Sequence, residues 1–305
     1  MRARTPLALF LAALLAASLA ACGQTKDVRA QLDELVAAKG TTLVGVRVAK
    51  VGKGLDRTVS IGVLEEANTS WYSLFNGNIV TDSSAPIPLA GGPMTVDAFD
   101  LEALEEKVDA IASDPQCAYA SATAVVIPVG VGIFATCQGV DGTPSSRASL
   151  SEINGESAYF EAGDFREPAV LEAAAEVYRR ATGTTDIVGF TYATTAGTAS
   201  IEGTDLPSID GSTCPASLRI SEREPSPPAP VGCGIGIDGS PFDFAAAAPG
   251  IAETILKVRS SALDQSLITL IEFTGTPEGI AWKVATSLEE ALAHPDLVKG
   301  MIGRS

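Results

Sequence analysis

The chain has 305 residues, 46% of them apolar, with 21 basic against 37 acidic side chains and a formal net charge of −16. That surplus of negative charge excludes a nucleic-acid partner and an electrostatic grip on anionic lipid, both of which need clustered Lys and Arg. The length suits one large domain or two of ordinary size and is enough to bury a core.

The first predicted element is an export signal. Arg2 and Arg4 precede an apolar run, Leu7 to Ala21, that is too short for a comfortable membrane span. The run closes on Leu19-Ala20-Ala21-Cys22. This motif resembles the lipobox of bacterial lipoproteins, a resemblance confined to residues 1–22. It implies that residues 1–21 are a signal peptide removed before Cys22, that Cys22 is diacylated on sulfur, and that the protein is held by N-terminal lipid at the extracytoplasmic face of the bacterial membrane. Each buried methylene contributes roughly 0.8 kcal/mol and a single acyl chain binds only reversibly, so two or three chains on one cysteine make a lasting anchor. Without Arg2 and Arg4, 19 basic residues face 37 acidic ones, and the net charge is −18.

Beyond the signal, Val28, Leu32, Leu35 and Val36 recur at helical spacing, and Gly40 ends the helix that starts at Asp27. Apolar and polar residues alternate on both sides of "GKGLD", which reads as a hairpin over 41–66. Asn76-Gly77 between apolar runs predicts a two-residue turn. Asp100 caps a second helix through Ser113, with Leu101, Leu104, Val108 and Ile111 on one face. The nearly continuous apolar stretch Ala122–Thr136, broken at Pro128-Val129-Gly130, reads as a strand pair buried on both faces. A third helix begins near Pro168 and ends by Gly183, and 185–203 is its hairpin. A fourth helix is expected from about Pro249 to Ala262, followed by a hairpin over 266–286. Ser287 and Glu290 then fit a capping box that opens a closing helix.

The expected fold is therefore α+β: four helix-then-β-hairpin units, forming antiparallel sheet with helices packed on one face. Grouping the units in pairs gives two similar halves, 22–160 and 161–305.

Four cysteines follow Cys22, an even number that outside the cytoplasm predicts two disulfides. Cys117 and Cys137 lie either side of the Pro128 turn, and Cys214 and Cys233 either side of the Pro-rich "EREPSPPAP" loop. The local pairings Cys117–Cys137 and Cys214–Cys233 are the ones expected. No Cys-x-x-Cys spacing occurs, so no zinc or other metal site is expected.

Catalytic motifs are scarce. The single histidine, His294, precedes Pro295, and neither Gly-x-Ser-x-Gly nor Ser-x-x-Lys occurs. Gly234, Gly236 and Gly239 match G-x-G-x-x-G, but a Pro-rich loop stands where a strand is required, so no nucleotide cofactor is expected. Trp71, Tyr72 and Phe75 cluster in one strand, as core or as an exposed face for an envelope protein or glycan partner. The sequence thus favours a lipid-anchored, non-enzymatic binding or scaffolding protein of the cell envelope, with no assigned catalytic, cofactor or metal residue. The alternatives are an acid-based hydrolase, which would carry two carboxylates in a cleft, and a carrier of an apolar ligand.

Overall fold

The computed structural model describes residues 27–51, 57–65, 68–82, 92–139, 149–158, 160–207, 213–223, 229–233 and 237–303. Cys22 and the signal segment lie outside the described residues, as do Gly234 and Gly236.

Asp27 caps α1 (Val28–Lys39), its carboxylate accepting from the Ala30 N–H at 2.7 Å. The chain then enters β1 (Thr42–Leu43), β2 (Gly45–Val51), β3 (Arg57–Glu65), β4 (Asn68–Phe75) and β5 (Asn78–Asp82). Asn76 and Gly77 carry the positive φ values, 52° and 75°, that the tight turn between β4 and β5 demands. After β6 (Met94–Thr95) and a short 3₁₀ turn, Asp100 caps α2 (Leu101–Ala112). β7 (Cys117–Ile127), β8 (Gly130–Gly139), β9 (Ser149–Ile153) and β10 (Glu156–Ser157) follow. α3 (Pro168–Thr182) takes Pro168 at its first turn and stops at Gly183, whose φ of 84° is left-handed. β11 (Asp186–Ala193), β12 (Thr198–Pro207), β13 (Thr213–Ser221), β14 (Ala229–Cys233) and β15 (Phe242–Asp243) lead to α4 (Phe244–Arg259). The chain ends with β16 (Leu270–Thr276), β17 (Gly279–Ala285), α5 (Leu288–Ala293), α6 (Pro295–Val298) and β18 (Lys299–Gly303).

The helix-then-hairpin repeat expected from the sequence is not what forms. Among the described residues the chain is mostly strand, in three antiparallel sheets, two of eight strands and one of two. The expected hairpins are parts of longer meanders: β2–β5 run on as four consecutive neighbours, as do β7–β10 and β11–β14. The strand orders are β10-β9-β8-β7-β2-β3-β4-β5 and β14-β13-β12-β11-β16-β17-β18, with β15 beside β11, and β1 pairs with β6. Each large sheet is spliced at its centre by a non-local antiparallel pair, β2 with β7 and β11 with β16.

Nor are the helices confined to one face of a single sheet. α1 and α2 cover the face of the first sheet that carries Val46, Val48, Val59, Ile61, Ala122 and Ala124, all buried in one core. β7 is buried from Ala120 to Ile127 on both faces. Its Val125 and Ile127, with Trp71 and Phe134, belong instead to a second core that holds α3, α4 and the apolar face of the second sheet. The first sheet is thus covered twice, which a one-face arrangement would not do. Period-two alternation sends neighbouring side chains to opposite faces, and here both faces are apolar over β7.

The fourth helix also begins earlier than expected. Asp243 caps α4 and accepts from the Ala246 N–H at 3.1 Å, so Pro249 lies inside the helix and does not open it. The run Ala245–Ala248 has the highest helix propensity available and extends the helix upstream.

Candidate functional site

α4 and the edge strand β18 face each other closely. A Cβ on Gly250 would stand 2.9 Å from Ile302 Cγ2, so the glycine lets helix and strand meet. A cleft opens on each side of that contact, and Gly250 and Ile302 line both.

The first compartment has a volume of about 390 Å³ and is lined by Glu253, Lys257, Trp282, Asp296, Lys299 and Met301, among others. Trp282 comes from β17 and is buried; its indole lies against Gly300, where a Cβ would come within 2.7 Å of the ring. Lys257 Nζ stands 5.8 Å from the Trp282 ring centroid, within the reach of a cation–π attraction. Thr254 is turned away from the cleft chemistry, its hydroxyl donating to Gly250 O at 2.8 Å. The second compartment, of about 600 Å³, is walled by Pro241, Phe242, Ala246, Ala247, Pro249, Ile280 and Ile302, with glycines, Thr276 and Asp243, the cap of α4, completing it. Both volumes fall in the range of roughly 300–1,000 Å³ that suits small ligands.

The lysines of the first compartment differ from the other described lysines. Lys39, Lys50, Lys107 and Lys283 each meet a carboxylate. Lys257 and Lys299, the remaining described lysines, enter no ion pair among the described residues, and both line this cleft. Glu253 and Asp296 are likewise exposed and without an ion-pair partner among the described residues. The site therefore presents two ammonium groups and two carboxylates whose charge is not spent internally.

A second polar place lies within the first sheet. Arg47, Ser60, Ser121 and Thr123 are buried, and Arg47 stands 6.0 Å from the Trp71 ring centroid. Burial holds the Arg47 guanidinium below its ordinary range, opposed by the charge of Tyr119.

Of the residues named from the sequence, Cys117 and Cys137 form a disulfide with Cα atoms 5.5 Å apart. They are not directly opposite: Cys117 pairs with Gly139 and Cys137 with Ala120, and an irregularity after Cys117 brings the two together. Cys214 and Cys233 fall on the neighbouring strands β13 and β14, with Cys233 opposite Ala216; their side chains lie outside the described residues. Trp71 and Tyr72 are buried in different cores, and only Phe75, 66% exposed at the turn, faces solvent. His294 is a link between α5 and α6, its N–H donating to Glu290 O and its carbonyl accepting from the Leu297 N–H. The glycine motif ends at Gly239 in irregular backbone against the Val188 carbonyl, and the next helix starts only at Phe244. Among the described residues no helix is long and apolar enough to cross a membrane, and no group of His, Cys, Asp and Glu has metal-binding geometry. Of the cleft residues only Pro249 was named from the sequence, as a helix start and not as part of a site.

Compared with known proteins, the chain matches no family model and no curated protein.

Proposed function

We propose that this chain is a lipid-anchored, non-enzymatic binding protein of the bacterial cell envelope, tethered through Cys22 at the extracytoplasmic membrane face and binding its ligand in the cleft between α4 and β18. The observation that carries the reading is the pair Lys257 and Lys299. In an acidic chain whose other described lysines are all ion-paired, the two that are not share one cleft. The Leu19-Ala20-Ala21-Cys22 motif supports the anchor.

The test places a photo-crosslinking residue at Met301, half exposed on the cleft rim, in cells making the full chain. A control carries it at Val80, on the edge strand β5 of the other sheet. A light-dependent adduct at 301 that is absent at 80 is expected, in the membrane fraction. Cys22→Ser should leave an uncleaved precursor or release the protein to the medium. No adduct at 301 beyond that at 80 overturns the binding role of the cleft, and unchanged processing and membrane attachment of Cys22→Ser overturns the anchor.

A further inference from the structure

The cleft has two chemically different compartments side by side, and that juxtaposition narrows what it can take. We propose that its ligand is a single-chain zwitterionic amphiphile, with an anionic phosphate on Lys257 and Lys299, a cationic amine on Glu253 and Asp296, and the alkyl chain in the apolar compartment. The proposal rests on the reading of this cleft as the binding site.

Three features lead to it. First, the compartments adjoin: Gly250 and Ile302 border both, so one molecule reaching past that contact touches charge at one end and hydrocarbon at the other. Second, the charged lining is balanced. Two ammonium groups and two carboxylates, none ion-paired among the described residues, leave no net charge at the site. A purely anionic head would gain from the lysines and lose to Glu253 and Asp296, and a purely cationic head the reverse. A head bearing both signs meets all four, through charge-assisted hydrogen bonds that neutral partners cannot match. Third, the neighbouring compartment is lined mainly by Pro241, Phe242, Ala246, Ala247, Ile280 and Ile302, surface that gains by leaving water against an alkyl chain, and its one charged lining residue, Asp243, has its carboxylate engaged by the Ala246 N–H. Trp282 borders the charged end with its indole, an amphipathic wall suited to the boundary between head and chain.

The experiment uses the full chain carrying Cys22→Ser, which keeps every residue of the described fold and carries no acyl group of its own. Lysophosphatidylethanolamine, kept below its micellar concentration, is titrated in by calorimetry, with lysophosphatidylglycerol as the anionic comparison. Saturable one-to-one binding of the ethanolamine lipid is expected, tighter than that of the glycerol lipid. Lys257→Ala with Lys299→Ala should weaken it roughly tenfold or more, the loss of at least one hydrogen bond to a charged group. Glu253→Gln with Asp296→Asn should erase the preference over the glycerol lipid. Ala246→Phe, an exposed substitution that narrows the apolar compartment, should weaken both lipids. All five of these positions are solvent-exposed, and far-ultraviolet circular dichroism of each variant confirms folding. Absence of saturable binding, equal binding of both lipids by the unaltered cleft, or binding indifferent to the lysine pair overturns the proposal. An adduct at Met301 without lysophospholipid binding sinks only this inference; absence of the adduct sinks the wider reading.

Discussion

Glu202 on β12 is the described carboxylate most at odds with its surroundings. Its Oε2 is buried without a hydrogen-bond partner among the described residues. Burial raises its pKa above the ordinary carboxylate range, with Arg219 pulling only weakly the other way. A raised pKa in the folded state means the fold binds the proton more tightly than the unfolded chain does. The penalty for ionising Glu202 is therefore absent below the unfolded pKa of about 4.3, grows as the pH rises from there through the folded pKa, and is complete above it. Glu202→Gln should accordingly stabilise the protein at pH 7 and make no difference near pH 4. Urea denaturation of both chains at the two pH values checks this; a variant less stable at pH 7 would mean that the carboxylate holds a partner essential to the sheet. At this same scale the sequence was most readable. Asp100 and Ser287 cap helices where their spacing to the apolar positions placed them, because a cap is a contact between residues three apart, and Asp27, read only as the start of its helix, is that helix's cap. Lys257 and Lys299 were unreadable, since an absent ion pair depends on what the fold brings near a residue.

Among the elements, the β7–β8 hairpin is held most securely. A two-residue connection joins its strands, and the Cys117–Cys137 disulfide ties their far ends across a sequence separation of 20. In the chain-entropy account a loop of that size contributes about 3 kcal/mol. Cys117→Ser with Cys137→Ser should lower the unfolding free energy by about that amount. Comparing denaturation of the unaltered chain and of this variant, both without reductant, measures the contribution; an undiminished midpoint in the variant would show that strand pairing alone holds the hairpin. The hairpin was legible because its strands are apolar and its turn is short. β9 and β10 were not, although Asn154-Gly155 between them repeats the Asn76-Gly77 signal with φ values of 52° and 80°. Around that turn only Leu150 and Ile153 are apolar among Ser149, Ser151, Glu152, Glu156 and Ser157, and their spacing of three does not alternate, so no strand pattern flanked it. β18 was missed for a related reason: "KGMIG" has two glycines in five residues and follows a helix directly. α4 was placed too late because Pro249 was given the first helical position, where proline is favoured, instead of the interior, where it is tolerated at a cost.

For the molecule as a whole, the second core is decisive. Phe134 and Ile127 of the first sheet share it with Phe190 and Phe273 of the second, so the two sheets lose a common interior when either opens. Phe134→Ala should cost about 3–5 kcal/mol and lower the unfolding midpoint to the same extent whether it is followed through Trp71 or through Trp282, each isolated by replacing the other with Phe. Two separate midpoints would show that the sheets unfold independently. The splices at the sheet centres carry a different consequence, for the order in which the structure assembles. Gly45 pairs with Val125, and Gly189 with Thr274, across long intervening stretches, whereas Ile127 pairs with Gly130 across a turn. Contacts between neighbours in sequence form early, and those that must close a long loop wait until its entropy is offset. Until β7 docks, the inner edge of β2 is an unpaired row of N–H and C=O groups beside Val46 and Val48, open to any other extended chain. The slow joining of these two central pairs is thus the interval in which the protein is most exposed to pairing with the wrong partner.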